Sequence, residues 1–171
     1  GTISMREETF RAILTDIAAS LKQHGFKQIF YIGDSGGNQA GQRYVADSLN
    51  TLWGGAVLVA HIQDYYDYAS VGRYMEEHGI KEDTSKADRL HDDPVITLNM
   101  YITDPKSVRF EERRKAGLAT INGISVADKK QNDKLAKEIV EFRATSTITA
   151  INKAIANKGT LPPPPRQRPI P

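Results

Sequence analysis

The chain has 171 residues, with 23 Lys and Arg against 21 Asp and Glu, so its formal net charge is +2. This size suits about one domain with a core large enough to fold without cross-links. The absence of Cys excludes a disulfide framework, a thiolate zinc site and a cysteine nucleophile. The mixed charge argues against a nucleic-acid partner, and no apolar run approaches the roughly 18 residues of a membrane helix.

The beginning of the chain predicts a long helix. Ser4 followed by Glu7 is typical of a capping box, in which two side chains satisfy the first free N–H groups of a helix. We therefore expect a helix from about Met5 to His24, ended by Gly25 in a left-handed conformation. The apolar residues that recur at helical spacing are Phe10, Ile13, Leu14, Ile17, Ala18 and Leu21.

Two short apolar runs, at 29–32 and 56–60, predict buried strands. Between them the sequence predicts a second helix from Asn38, as its cap, to about Asn50. The residues expected to face inward from this helix are Val45, Ala46, Leu49 and Leu52.

The later part of the chain predicts more helix. Residues 65–78 are helical and aromatic in pattern. The apolar stretch 95–102, which follows Pro94, is ambiguous between helix and strand. Residues 110–117 predict a short helix or loop, Asn122-Gly123 is a turn signal, and 126–157 predicts a long helix.

Alternating helices and strands predict an α/β domain with a mainly parallel sheet over residues 1–158. Residues 159–171 hold six of the eight prolines, so we expect an extended or disordered tail. A passive tail is favoured over a ligand for an SH3-like module.

Because Gly1 is not an initiator residue, we expect the chain to be the later part of a longer gene product. The sequence leaves the cellular compartment open, with the cytoplasm as the default.

The loop at 33–38, with the sequence GDSGGN, lies between a predicted strand and a predicted helix. In open α/β sheets this edge, at the carboxyl ends of the strands, is where ligands bind. Gly36 and Gly37 would allow a ligand to approach the backbone, while Asp34 and Ser35 would face the same crevice. The competing interpretation is a tight turn without a ligand.

The loop sequence matches two motifs of serine hydrolases. GDSGG also occurs in trypsin-like proteases, but those are β-barrels, and this helical chain has no matching His segment. A GDS-type serine esterase would use Ser35 as nucleophile, His91 as base and Asp88 to orient His91, since Asp88-Arg89-Leu90-His91 has the required spacing. Such short motifs also arise by chance.

A longer pattern resembles the creatininase family, the creatinine amidohydrolase-like metal enzymes. It consists of GTISMREETF, then HGFKQIFYI, then GGN, in the family's order over some 50 residues. The resemblance implies a three-layer α/β/α fold, homo-oligomers, and a site for two divalent metals, zinc or manganese. It also implies hydrolysis of a small cyclic or linear amide.

The resemblance further implies a set of site residues. The family's metal-binding His in the loop aligns with Ser35, so Asp34 would substitute as a ligand. His91 matches the family's later His, while Pro94 replaces its ligand Glu and Asp93 lies one residue earlier. His91 and Asp93 would thus hold metal or move protons, and Ser35, Gly36, Gly37 and Asn38 would shape the substrate pocket. The family's other ligands belong to a part that precedes Gly1.

A metal-dependent amidohydrolase is therefore the leading hypothesis, and a divergent or truncated binding or assembly subunit without catalysis is the alternative. Other histidines and aromatic residues favour structural roles. His61 follows a predicted strand, so it either borders the crevice or is a hydrogen-bonded strand-end residue. The tyrosines in the middle of the chain favour packing over substrate binding: Tyr65, Tyr66, Tyr68 and Tyr74.

Overall fold

The computed structural model describes residues 4–83, 85 and 94–158. These residues form a mixed α/β structure that divides into two compact units. The first unit comprises residues up to Tyr66 together with those from Ser146 onward, and the second comprises Asp67–Thr145.

The first unit begins with a β–α–β arrangement preceded by a helix. Helix α1 spans Glu7–Gln23, strand β1 spans Gln28–Tyr31, helix α2 spans Gln39–Trp53 and strand β2 spans Leu58–His61. The two strands pair in parallel, with Gln28 opposite Leu58 and Tyr31 opposite His61. Two parallel strands are usually connected by a helical crossover, because a tight turn would make the second strand antiparallel to the first.

The core of the first unit lies between these strands and helices. Asn50 on α2 clamps β2, since its side-chain amide accepts from the N–H of Val59 at 2.9 Å and donates to the carbonyl of the same residue. The buried residues of the main cluster are Ala18, Ile29, Tyr31, Val45, Ala46, Leu49, Val57 and Val59. A second cluster joins Ala60 and Ile62 to Ala150 and Ala154.

The described part of the second unit contains three whole helices, a hairpin and the beginning of a fourth helix. Helices α3, α4 and α5 span Tyr68–Glu77, Pro94–Thr103 and Phe110–Lys115, and strands β3 and β4 span Thr120–Ile121 and Ile124–Ser125. Helix α6, Lys129–Ala156, begins in this unit and ends in the first. The core of the unit consists of Val71, Met75, Val95, Leu98, Leu135, Ala136 and Ile139.

Most of the predicted elements are present, with boundaries shifted by a few residues. The turn at Asn122 and Gly123 is confirmed, because both have positive φ, 48° and 80°, as a two-residue hairpin turn requires. Gly25, at φ 88°, ends α1 as expected. The ambiguous apolar stretch is α4. The predicted helix at 65–78 is divided, since a 3-10 turn at Gln63–Tyr66 precedes α3.

Three local predictions were wrong. The capping box at Ser4 and Glu7 is not formed, because α1 begins at Glu7 and its cap residue, Arg6, makes no side-chain capping bond. Asn38 precedes α2 but likewise makes no such bond. Leu52 was expected inward and is 75% exposed. The buried stripe of α2 passes instead to Trp53, which packs against the main cluster.

The parallel sheet of the described residues has two strands, so the α/β class is confirmed and the three-layer architecture stays a prediction. The Pro-rich segment 159–171 lies outside the described residues. Among the described residues, no helix is both long and apolar enough to cross a bilayer.

Candidate functional site

The loop at residues 33–38 joins β1 to α2 at the carboxyl edge of the parallel pair. Tyr31 and His61 are the last paired residues of the two strands, and the N–H of Ile62 donates to the carbonyl of Tyr31 at 3.0 Å. Because both strands end at this edge, the loop after β1 and the chain after β2 border the same region of the unit. The predicted position of the loop is confirmed.

The conformation of the loop depends on the side chain of Gln39, the buried first residue of α2. Its Nε2 donates to the carbonyl of Gly33 at 3.0 Å and to the carbonyl of Ser35 at 2.8 Å. The N–H of Asn38 also donates to the carbonyl of Ser35, at 3.1 Å. The backbone is therefore held on both sides of Asp34.

His61 fixes the other end of the Gln39 amide. Its Nε2 lies 2.7 Å from Oε1 of Gln39, and both residues are buried. Since the amide nitrogen of Gln39 faces two carbonyls, its oxygen must be the atom that faces the imidazole. The Nε2 atom of His61 is therefore the donor and carries the proton. The interpretation of His61 as a hydrogen-bonded strand-end residue is confirmed.

The surroundings of His61 keep its imidazole neutral. Burial, together with a smaller effect of the positive charge of Arg43, lowers the pKa of His61 from 6.5 to about 4. The Arg43 guanidinium donates to Oε1 of Gln63 at 3.0 Å, which links α2 to the chain after β2. At neutral pH the site therefore contains an uncharged imidazole beside a fixed cation.

The three glycines of the loop differ in how much room they leave for a side chain. A Cβ atom on Gly33 would overlap the side-chain amide of Gln42, and one on Gly36 would lie 2.8 Å from the hydroxyl oxygen of Tyr66. A Cβ on Gly37 would meet nothing closer than Oγ of Ser35, at 3.9 Å. A Cβ atom at Gly33 or Gly36 would therefore force the end of the Gln42 or Tyr66 side chain to move, whereas Gly37 leaves room for one.

Gln42 lies beneath this loop as a buried polar side chain, 5% exposed. Within the part of the chain that the structure describes, its Oε1 atom has no hydrogen-bond partner. A buried amide oxygen without a partner is costly. It therefore marks a polar position under Gly33 that can accept a hydrogen bond.

The structure brings together one contiguous part of the predicted site. Asp34, Ser35, Gly36 and Gly37 are exposed on the loop, and Asn38 is half-buried. Ser35 has an extended backbone, φ −128° and ψ 132°, immediately before the turn. Among the described residues, no group of three or more acidic or imidazole side chains is arranged to hold a metal ion.

The other predicted site residues are outside the described residues. These are His91 and Asp93, expected to hold metal or move protons, and Asp88, the orienting residue of the serine mechanism. Their approach to Asp34 and Ser35 stays a prediction.

The aromatic residues of the second unit contribute to packing. Tyr74 stacks on Phe142, with ring centroids 4.5 Å apart, and also contacts the ring of His78. Nδ1 of His78 lies 2.7 Å from the carbonyl of Tyr74. Packing is therefore confirmed as the role of Tyr74, whereas Tyr66 in the first unit packs on the candidate loop at Gly36.

Sequence reasoning did not single out Gln39 and Gln42. A signal was present, because both continue the inward-facing spacing of Val45, Ala46 and Leu49 toward the start of the helix. Polar side chains at core-facing positions need specific partners. Their occurrence next to a glycine-rich loop points to a role in shaping that loop.

The family model described as Creatininase: Creatinine amidohydrolase matches residues 1–161 of the chain. The chain belongs to the creatininase family. The match includes the candidate loop and extends through the last described helix. Searches of curated proteins and of solved structures found no match. Family membership supports an amidohydrolase-type function, and members of this family typically bind a divalent metal.

Proposed function

We propose that this chain is a metal-dependent amidohydrolase that acts on a small cyclic or linear amide. The observation that supports this most directly is the family match over residues 1–161, which includes a loop with exposed Asp34 and room for a Cβ atom at Gly37. The three-layer α/β/α architecture and a homo-oligomeric state belong to the same proposal. They come from the family resemblance.

The proposed metal ligands are Asp34, His91 and Asp93. Two carboxylates and an imidazole form a donor set that zinc and manganese both accept, so the residue types fit a divalent cation. When bound, such an ion polarises an amide carbonyl and lowers the pKa of water at the site. Asp34 lies on a backbone segment held from both sides, which suits a ligand whose position must be reproducible.

The loop would bind the substrate through its backbone and its open side. Gly36 and Gly37 begin a helical turn, and the first N–H groups of such a turn have no acceptor within it. They are therefore available to donate to a carbonyl oxygen of the amide. Ser35 would line this pocket without acting as a nucleophile. His91 and Asp93 would hold or move the proton that the leaving nitrogen needs.

The metal-dependent mechanism and the serine mechanism are distinguished by comparing how chelation and the Ser35→Ala substitution each affect the rate of hydrolysis. The substrates are creatinine and a panel of other small cyclic and linear amides. We expect chelation to abolish hydrolysis, added zinc or manganese to restore it, and Ser35→Ala to cost about tenfold or less. Hydrolysis that survives exhaustive chelation but falls by roughly 10³ or more in Ser35→Ala would establish the serine mechanism instead. Absence of both hydrolysis and bound metal would support a non-catalytic subunit.

A matched pair of substitutions tests the role of Asp34. Asp34→Asn keeps the side-chain volume but removes the charge that a cation requires. Asp47→Asn makes the same change at an exposed position of α2. We expect Asp34→Asn alone to reduce metal affinity. Equal affinities in both variants and the wild type would exclude Asp34 as a ligand.

A further inference from the structure

One side chain, that of Gln39, holds the backbone on both sides of Asp34. Both donor positions of the Gln39 amide are used, on the carbonyls of Gly33 and Ser35. These two carbonyls belong to the residues immediately before and after Asp34. A rotation of this amide by 180° would place its oxygen against both carbonyls, and the two interactions would become repulsive.

The third hydrogen bond of this amide comes from His61. Its Nε2–H donates to Oε1 of Gln39 from the end of β2, a position 22 residues along the chain. The donor comes from an ordered strand, since His61 in β2 pairs with Tyr31 in β1. A hydrogen-bond donor in a fixed position can hold the Gln39 amide in one of its two orientations. A mobile donor would instead move with the amide when the amide rotates.

We propose that His61 and Gln39 are positioning residues for the loop at 33–38: the imidazole orients the Gln39 amide, and the amide holds the backbone on both sides of Asp34. Neither residue needs to touch a substrate or a metal in this role. The inference rests on the proposed function only where it connects the position of Asp34 to metal binding.

The N–H of Asn38 provides a local measure of the loop conformation. It donates to the carbonyl of Ser35 at 3.1 Å, which is the carbonyl that Gln39 also holds. Loss of the Gln39 contact should free this carbonyl and raise the hydrogen-exchange rate of the Asn38 amide. Exchange measured by NMR on the full chain therefore tests the loop without any ligand.

Four substitutions separate the two residues' roles. Gln39→Glu keeps an oxygen facing His61 but removes both donors to the loop, and Gln39→Leu removes all three bonds. His61→Phe keeps a ring but removes the donor, whereas His61→Gln restores an N–H near the same position. Asn50→Leu is the control, because it weakens β2 at Val59 and leaves every loop contact in place.

We expect Gln39→Glu, Gln39→Leu and His61→Phe to raise the exchange rate of the Asn38 amide by about tenfold or more. His61→Gln and Asn50→Leu should stay within about threefold of the wild type. Unchanged exchange in Gln39→Glu and His61→Phe would overturn the inference, as would an equal increase in Asn50→Leu. If His61→Phe does not fold, the inference is tested by comparing the exchange rate of the Asn38 amide in Gln39→Glu with the rate in His61→Gln.

Zinc affinity, measured by calorimetry on the same variants, extends the test to the proposed site. We expect the affinity to fall in Gln39→Glu and His61→Phe and to recover in His61→Gln. A wild-type protein that binds no zinc or manganese would reject the proposed metal site. The exchange rates would still decide whether His61 and Gln39 position the loop, so the two failures are distinguishable.

Discussion

His61 and Gln39 are 22 residues apart in sequence, yet Nε2 of the imidazole lies 2.7 Å from Oε1 of the amide. Through this contact the end of β2 is connected to the loop that follows β1. The loop carries the acidic residue that we propose as a metal ligand, Asp34. The geometry of the candidate site thus depends on a neutral imidazole that is not itself among the proposed ligands.

The first prediction concerns acid stability. The pKa of His61 is lowered from 6.5 to about 4 by burial and by the charge of Arg43. In the unfolded chain this imidazole takes up a proton near pH 6.5, so between these two values the unfolded state binds more protons than the folded state. The free energy of unfolding should therefore fall as pH decreases through this window, by at most about 3 kcal/mol.

Urea denaturation at about pH 7 and about pH 4.5 measures this dependence, and His61→Gln is the control because it does not titrate. The loss of stability between the two pH values should be smaller in His61→Gln than in the wild type. An identical loss in both proteins would show that His61 does not contribute to acid sensitivity.

The second prediction compares three glycines of the loop. Gly33→Ala would force the buried amide of Gln42 to move, and Gly36→Ala would place a methyl group 2.8 Å from the hydroxyl oxygen of Tyr66. Each should lower the free energy of unfolding by roughly 1–3 kcal/mol. In Gly37→Ala the added methyl group would make only an ordinary contact with Oγ of Ser35, at 3.9 Å, so stability should change by less than about 0.5 kcal/mol.

The same Gly37→Ala variant also tests the proposed substrate pocket. Its added methyl group would occupy the open side of the loop, so we expect weaker substrate binding in a protein of normal stability. Thermal unfolding and steady-state kinetics on the same samples separate the two effects. A destabilised Gly37→Ala, or a fully stable Gly36→Ala, would contradict the described packing of the loop.

The α/β class, the two parallel strands and the position of the loop could be predicted because they depend on local patterns. Apolar runs at 29–32 and 56–60 are short and β-branched, and the loop between them is rich in glycine. The Asn122-Gly123 turn was predictable for a similar reason, since few other residues tolerate positive φ.

The Gln39–His61 contact could not be predicted, because it depends on the parallel register that brings the end of β2 beside β1. The helix caps could not be predicted from sequence patterns either. Ser4 has a suitable side chain, but α1 begins only at Glu7, whose carboxylate instead pairs with Arg11 at 2.9 Å. Of the proposed ligands, Asp34 is described, while His91 and Asp93 stay predictions.

A third prediction concerns the contact between α1 and β1. The hydroxyl group of Tyr31 donates to the carbonyl of Leu14 at 2.9 Å, and burial raises the pKa of Tyr31 to about 12. Tyr31→Phe should lower the free energy of unfolding by about 1 kcal/mol. Tyr44→Phe, at an exposed position of α2, is the matched control and should have little effect.

The same tyrosine should make the protein sensitive to alkali. The unfolded chain loses the phenolic proton near pH 10 and the folded protein near pH 12, so the folded state binds more protons between these values. Stability should therefore fall as pH rises from about 10 to about 12. Denaturation curves in which Tyr31→Phe and the wild type lose equal stability over this range would contradict the assignment.

The fourth prediction is self-association, which the family resemblance implies. Apolar side chains remain exposed in the first unit, including Leu52 at 75% and Ile17 at 50%. Where such side chains form a contiguous patch, they favour association between copies. Light scattering should give a mass that is a multiple of 19.0 kDa. A monomer that persists at high protein concentration would be evidence against a homo-oligomer.

The central claim, that this chain is a metal-dependent amidohydrolase, is tested most directly by elemental analysis of the purified protein. We predict zinc or manganese at about one or more ions per chain, with a clearly lower content in Asp34→Asn and an unchanged content in Asp47→Asn. Protein that is free of both metals, and stays so after incubation with each of them and removal of the excess, would contradict the account.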